Sequence, residues 1–309
     1  MPTDTTSPRI AIVDIAGKGK GVIAQEGIAR GTLIISEKPR IIVPAVGDAG
    51  LVKAISVLPR EDLSFMLSFP HGPEDIPIIG ALKHFIPCVG DHTISLCSTI
   101  CRVNHTCYSP KGSPNASYFW NTISKEEELY AIKEIKAGEE IEVSYMSNVS
   151  DFKPPVQHLR ETYAFECACP GCTRPAADLL ASEKRIAAYN SFVDDLPSRF
   201  GPDNPLEILE DISRQILVIS AEGWTSDIGS RAHDAFQLCA SYGDAASARK
   251  WEAICRDSHA LYQGRKSDSF KRAKDLATNP QSFHAWKQLG RRNLKGPVSC
   301  FCEATSTIY

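Results

Sequence analysis

Three cysteines lie close together in Cys167-Ala168-Cys169-Pro170-Gly171-Cys172, and a fourth stands far upstream in Asn104-His105-Thr106-Cys107. Three close thiols plus a distant fourth are the donor set of a tetrahedral Zn²⁺ site, in which thiolates bind at about 2.3 Å. Pro170 and Gly171 permit the sharp turn that lets the sulfurs converge. Such a zinc would pin the segment after Tyr163 against the loop at Asn104, closing a pocket made from two remote stretches of chain. Two other readings compete. The cysteines could cluster by chance, or Cys169-Pro170-Gly171-Cys172 could be the C-x-x-C of a thiol redox protein. Redox motifs of that kind sit between a strand and a helix, whereas here a third cysteine precedes and Thr173-Arg174-Pro175 delays any helix. Cys88, Cys97, Cys101, Cys239 and Cys255 read as small buried hydrophobes. Cys300-Phe301-Cys302 offers two ligands at most.

Gly17-Lys18-Gly19-Lys20-Gly21 is a glycine-rich turn. It lacks the Gly-Lys-Ser/Thr ending of a phosphate-binding P-loop, and no helix pattern follows it as a dinucleotide-binding loop would require. By itself it reads as a hairpin turn, and Asn104-His105 by itself reads as an ordinary loop. Tyr145 ends a strand, Tyr163 and Phe165 follow a helical stretch, and each could be core packing. No His, Asp and Glu spacing suggests an acid–base dyad. Glu126-Glu127-Glu128 and Glu139-Glu140 read as solvated faces or a turn.

The elements that must position these residues are strands first and helices later. Residues 9–45 read as short strands at Arg9 to Ile15, Gly21 to Ala24 and Thr32 to Ile35, broken by Pro39 and Pro44. Residues 46–100 look helical, with Leu51, Val52, Ile55 and Leu58 at helical spacing, and Pro70, Pro73 and Pro77 forcing an irregular stretch. Strands return over 115–145, where Ile141, Val143 and Tyr145 alternate with Glu140, Glu142 and Ser144. Pro155 to Phe165 suits a short helix with proline in its first turn. After Pro175 the pattern is helical. Asn204-Pro205 reads as an N-cap and first helical residue, opening Leu206 to Ile219. Further helices are expected from Arg231 to Tyr242 and Ala245 to Leu261, with Gly243 stopping the first. From Arg265 onward the chain is expected to be loosely ordered.

The 309 residues suit one large domain or two ordinary ones. Hydrophobic content of 43% is enough for a core, and a net charge of −3 argues against a nucleic-acid binder. No apolar segment marks a secretory leader or a membrane span. Eleven cysteines in that setting are expected to be mostly reduced, so the Asn-x-Ser/Thr sequons at Asn104, Asn115 and Asn148 read as accidental.

Taken together, the glycine-rich turn, the Asn-His-x-Cys loop, the Gly138-Glu139-Glu140-Ile141 to Ser144-Tyr145 strand and the Cys-x-Cys-x2-Cys tail resemble, in order and spacing, the SET domain of protein lysine methyltransferases. The resemblance covers roughly residues 9–175. The split layout is similar to the SET-and-MYND subgroup or its fungal relatives, without the MYND zinc module. It implies an α+β fold: a β-rich, pseudo-knotted SET core, a small zinc-binding post-SET segment and an all-α C-terminal domain. The implied divisions are 1–45 and 101–150 for the two parts of the SET core, 46–100 for a helical insert, 151–175 for the post-SET segment and 176–309 for the helical domain.

The resemblance further implies S-adenosylmethionine-dependent methylation of a lysine side chain on a protein substrate, histone or otherwise. Lys18, Gly19, Lys20 and Gly21 would flank the cofactor, with Asn104, His105, Tyr145 and Phe165 contacting it. Tyr145 and Tyr163 would wall the lysine channel, and Cys107, Cys167, Cys169 and Cys172 would hold zinc. A lysine amine, with a reference pKa of about 10.4, must be neutral to attack, and a narrow dry channel favours that form. The chain departs from the family between Cys107 and Pro114-Asn115, where six residues, Tyr108 to Ser113, replace one. That insertion motivates an alternative, a catalytically inactive SET-like scaffold that binds a protein partner. The expected setting is a nuclear or cytoplasmic monomer, not secreted, without direct nucleic-acid or membrane partners.

Overall fold

The computed structural model describes residues 8–44, 48–69, 93–146, 155–163, 165–201 and 203–297. Cys88, the prolines at 70, 73 and 77, Asn148 and the Cys300-Phe301-Cys302 pair lie outside them. The chain forms two compact units. One comprises residues 1–107, 114–145 and 153–172; the other comprises 108–113, 146–152 and 173–309.

The first unit is built from short strands. β1 (Ile10–Ile15) and β2 (Gly19–Ala24) form an antiparallel hairpin with Ile10 opposite Ala24 and Ile15 opposite Gly19. Gly17 and Gly19 both take φ +75°, a left-handed conformation that side chains resist, which is why glycine closes this turn. β6 (Asn104–His105) and β9 (Glu140–Val143) complete the sheet in the order β1-β2-β9-β6. β6 runs parallel to β9, with Asn104 beside Glu142 and His105 beside Val143. Alternation places Ile141 and Val143 fully in the core with Val22, while Glu140 and Glu142 face the other way.

A second sheet has the order β3-β8-β7, from β3 (Leu33–Glu37), β7 (Ala116–Asn121) and β8 (Glu126–Ala131). Here the structure corrects the expectation that Glu126-Glu127-Glu128 is solvated. β8 is the central strand, and Glu127 and Glu128 are 2% and 7% exposed. Glu128 accepts hydrogen bonds from Tyr130 (2.6 Å) and Asn121 (2.8 Å).

The insert is not wholly helical. It contains α1 (Asp48–Ile55) and α2 (Arg60–Met66), but β4 (Ile41–Pro44) pairs antiparallel with β5 (Thr93–Leu96) to form a separate small sheet. Leu51, Ile55, Met66 and Leu96 bury a local core there, whereas Val52, expected on the same helical face, is exposed. Beyond β5, the Glu37 carboxylate accepts three successive backbone N–H groups, from Ser98, Thr99 and Ile100 at 2.7–3.1 Å. That anchor fixes the 3-10 turn Ile100–Arg102, which delivers the chain to Asn104. α3 (Pro155–Tyr163) precedes the cysteine run.

The second unit is helical: α4 (Ala176–Arg199), α5 (Pro205–Ala221), α6 (Ile228–Ser241), α7 (Ala245–Tyr262) and α8 (Asp268–Thr278). Tyr189, Ile212, Phe236 and Trp251 fill its core. Asn204 precedes α5 as expected, yet its backbone is left-handed (φ 50°) and its side chain caps nothing. The stretch after Arg265 is ordered rather than loose. Ser267 caps α8 through the N–H of Phe270 (3.2 Å), and Asp244 holds the N–H of Leu294 (2.7 Å). The loop 108–113 belongs to this unit, with Tyr108 against Trp224 at 4.5 Å between ring centres.

Candidate active site

In the first unit, a cavity of about 1010 Å³ opens between the β1–β2 turn, β6, the residues after β9 and the chain from Tyr163 to Pro170. Its size matches a site for a drug-sized molecule or cofactor. Lys18, Gly19, Lys20, Asn104, His105, Tyr145, Tyr163 and Phe165 all line it, as do Cys167 and Cys169. Gly21 does not line it but serves it from behind. A Cβ there would fall 2.5 Å from Ile15 Cγ1 and 2.7 Å from Asn104 Nδ2, so Asn104 reaches its place only because residue 21 has no side chain.

Asn104 donates through Nδ2 to Glu140 Oε1 at 2.8 Å. Lys18 Nζ bridges Glu140 (2.8 Å) and Glu142 (2.7 Å). Partial burial opposes the Lys18 charge, but the two carboxylates outweigh it and hold the ammonium above its ordinary pKa. The turn is thereby tied to β9 by charge at its tip.

His105 joins two parts of the site. Its Nδ1 accepts the backbone N–H of Tyr145 at 2.8 Å, so the ring proton sits on Nε2. Nε2 then points that proton at Cys107 Sγ, 3.1 Å away. The Tyr145 hydroxyl donates to the Val103 carbonyl at 2.8 Å. Burial, with Tyr163 nearby, pushes the Tyr145 phenol well above its ordinary range, so it stays protonated. Ring centres of Tyr145 and Tyr163 lie 5.0 Å apart, and Phe165 stands edge-on to Tyr145 at 6.4 Å. Tyr163 donates to the Tyr145 carbonyl at 3.4 Å.

The sulfurs of Cys107, Cys167, Cys169 and Cys172 all lie within 4.8 Å of one another. Cys107 Sγ is 3.9 Å from Cys167 Sγ and 3.5 Å from Cys172 Sγ. A tetrahedron with Zn–S bonds of about 2.3 Å has sulfur–sulfur edges of about 3.8 Å. The donor set and its spacing therefore fit Zn²⁺, and the Nε2–H of His105 is the outer hydrogen bond such a thiolate takes. A redox pair would need one cysteine singled out; here four converge.

Residues 19–146 match the SET domain family. That stretch of the chain carries a SET domain. The whole chain is 26% identical over 281 residues to the histone-lysine N-methyltransferase set5 of Schizosaccharomyces pombe, covering 88% of this chain and 84% of that relative. It is 30% identical over 95 residues to the histone-lysine N-methyltransferase SMYD3 of Mus musculus, and 31% over 86 residues to the N-lysine methyltransferase SMYD2-B of Danio rerio. The first of these matches covers 30% of this chain and 21% of the relative, the second 28% and 18%.

Within the SET domain, sequence reasoning left several positioning residues without a role. Asn115 is 7% exposed and acts as a peg. Its Nδ2 donates to the Glu140 carbonyl and its Oδ1 accepts the N–H of Glu142, both at 2.8 Å, fastening residues 114–116 to β9. Arg102 lines the cavity, stacks 3.7 Å over the Phe69 ring and donates to Ser68 Oγ at 2.6 Å. Cys101 also lines it, and burial pushes its thiol up to about 12. For Asn115 the available signal was a short polar residue after proline at the foot of a strand. Phe69 and Cys101 gave none, because the fold of the insert and the 3-10 turn Ile100–Arg102 bring them to the cavity. Among the described residues no helix is long and apolar enough to cross a membrane.

Proposed function

We propose that this protein transfers a methyl group from S-adenosylmethionine to the side-chain amine of a lysine on a protein substrate. The observation that carries the reading is the convergence of the Gly17–Lys20 turn, Asn104-His105 and three aromatic rings on one cavity flanked by four sulfurs. When bound, S-adenosylmethionine supplies an electrophilic methyl on a sulfonium sulfur.

The residues present suit that group. The turn offers backbone without side chains, Asn104 and Lys18 offer polar and charged contacts, and Phe165 offers an aromatic surface. Tyr145, Tyr163 and Phe165 form walls that accept a lysine stem and favour a nearby cation through their ring faces. A lysine entering between them loses water and so gives up its proton more readily to bulk solvent at the mouth. Tyr145 remains a neutral phenol whose hydrogen goes to Val103, leaving its oxygen lone pairs to accept from the amine. Tyr145 and Tyr163 would hold the lysine nitrogen in line with the methyl that S-adenosylmethionine held there would supply, and the methylated ammonium would shed its proton to water. No side chain serves as a base. Positioning supplies the rate.

Cys107, Cys167, Cys169 and Cys172 would hold Zn²⁺ and clamp Tyr163 and Phe165 onto the cavity. The pseudo-knot is read from Asn115, which pegs one stretch of chain where it passes β9. The same reading assigns 46–100 to the insert, 151–175 to the post-SET segment and 176–309 to a helical domain. The names of the relatives make histone lysines the first substrates to try. None of the residues lining the cavity comes from Tyr108–Ser113, so the insertion gives no support to an inactive scaffold.

The test is incubation with methyl-labelled S-adenosylmethionine and core histones or a protein array, with modified lysines located by mass spectrometry. Methyl-lysine that forms at least about tenfold more slowly with Tyr145→Phe supports the reading. Cofactor binding with no labelling of any protein would favour the scaffold.

A further inference from the structure

Far along the chain from the methyl-transfer site, α6 and α7 bring together a second group of metal-ligating side chains. His233 on α6 meets Glu252 and Cys255 on α7, and one ligand atom from each lies within 4.8 Å of the others. They line a cavity of about 330 Å³ that His259 also lines.

The arrangement follows from the sequence. Glu252, Cys255 and His259 are spaced i, i+3 and i+7, which puts them on one face of α7. The two helices approach closely because residue 229 is glycine. A Cβ there would fall 2.7 Å from Ser258 Oγ, and His233 stands one turn further along α6. Phe236, fully buried, stacks on the His233 ring with centres 5.3 Å apart and backs the site.

The chemistry is that of a buried cation site. Glu252 is 1% exposed, and its hydrogen-bond partner among the described residues is His233 Nδ1 at 2.9 Å. A carboxylate held so far from water needs a positive partner, and a metal ion seated between His233, Glu252 and Cys255 would supply one. Asp234 lines the same cavity and has a buried Oδ2 with no hydrogen bond, although Arg231 lies 3.2 Å away as an ion-pair partner. Asp268 adds a further carboxylate at the rim and Arg272 one opposing charge, so the lining is acidic on balance.

We infer that His233, Glu252 and Cys255, in a cavity that His259 also lines, form a second transition-metal site for Zn²⁺ or a metal of similar preference. Nitrogen, carboxylate and thiolate donors together suit a borderline ion in tetrahedral geometry. Calcium and magnesium, which take oxygen ligands, are disfavoured. Binding displaces the Cys255 thiol proton to solvent. The site ties α6 to α7 and is independent of the methyl-transfer reading.

The test is metal stoichiometry on the full chain after equilibration with buffered Zn²⁺, measured by plasma mass spectrometry. Cobalt substitution supplies a thiolate-to-metal charge-transfer band as a second readout. Wild type is expected to hold two zinc ions. Cys255→Ser and Glu252→Gln are each expected to hold one, and Cys172→Ser also one, lost from the other cluster. Glu252→Gln keeps the side-chain shape, and circular dichroism checks its fold. One zinc in wild type that Cys172→Ser removes overturns the inference, as does a second zinc that survives Cys255→Ser and His233→Gln together.

Discussion

Replacing Glu127 with glutamine should change how stability depends on pH, by an amount that the structure sets. Glu127 lies on the central strand β8, is 2% exposed, and its Oε2 is buried without a hydrogen-bond partner. Burial, with the neighbouring Glu128 adding to it, pushes its carboxyl from 4.5 up to about 8. The unfolded chain ionises this group near pH 4.5, while the folded chain keeps the proton until about pH 8. Between those values the unfolded state binds fewer protons, so folding stability falls as pH rises. Each pH unit in the window costs about 1.4 kcal/mol, and the whole window roughly 4 to 5 kcal/mol. The stabilising neutral form is fully present below pH 4.5 and lost through pH 8. Glu127→Gln removes this slope. The amide itself, lacking a partner, costs a constant amount of about 1–3 kcal/mol. Urea unfolding of both proteins at pH 5.5, 6.5, 7.5 and 8.5, at fixed ionic strength, isolates Glu127, because other groups cancel in the difference. The variant should gain on wild type by more than 2 kcal/mol from pH 5.5 to 7.5. A difference that stays constant across that range would refute the burial argument.

Asn115→Ala removes a side chain that accepts the N–H of Glu142 and donates to the Glu140 carbonyl, leaving buried backbone groups unpaired. It should cost about 2–4 kcal/mol in denaturant unfolding, and a loss below 0.5 kcal/mol would argue against the peg. Tyr145→Phe deletes the hydroxyl bonded to Val103 while keeping the ring. Single-turnover methyl transfer should slow by about 10- to 100-fold, as expected for one orienting hydrogen bond, with S-adenosylmethionine affinity changed less than threefold. Stripping metal with a strong chelator should release Tyr163 and Phe165 from the cavity, seen as faster amide exchange across 163–172, and zinc should reverse it. Unchanged exchange would mean that the four sulfurs need no metal to hold the segment.

Much of the site was legible because its residues announce local geometry. Glycines at 17 and 19 announce a turn that side chains cannot make, and the cysteine spacing announces converging sulfurs. The alternation of Ile141 and Val143 with glutamates announces a strand with one buried face. What failed depended on remote pairing. Glu126-Glu127-Glu128 looks solvated by composition, and only the pairing of β8 with strands on both sides buries it. The short β5 carries no helical or strand period strong enough to separate it from the helices around it, so its pairing with β4 was not visible. Asn204 stands where a cap belongs, yet nothing in its identity reveals a left-handed backbone. The stretch after Arg265 reads as loose because its charges dominate, while its order comes from Phe270, Ala273 and Leu294 packing onto other helices. Phe69 and Arg102 reach the cavity through the fold of the insert rather than through any motif.

The central claim, that this cavity is a cofactor pocket for methyl transfer, is tested most directly by calorimetric titration of the folded, zinc-loaded chain with S-adenosylmethionine. The account predicts saturable one-to-one binding that weakens at least about tenfold, or 1.4 kcal/mol, in Gly21→Ala, where the added carbon would fall 2.7 Å from Asn104 Nδ2. No heat of binding from a correctly folded, zinc-loaded protein would contradict it.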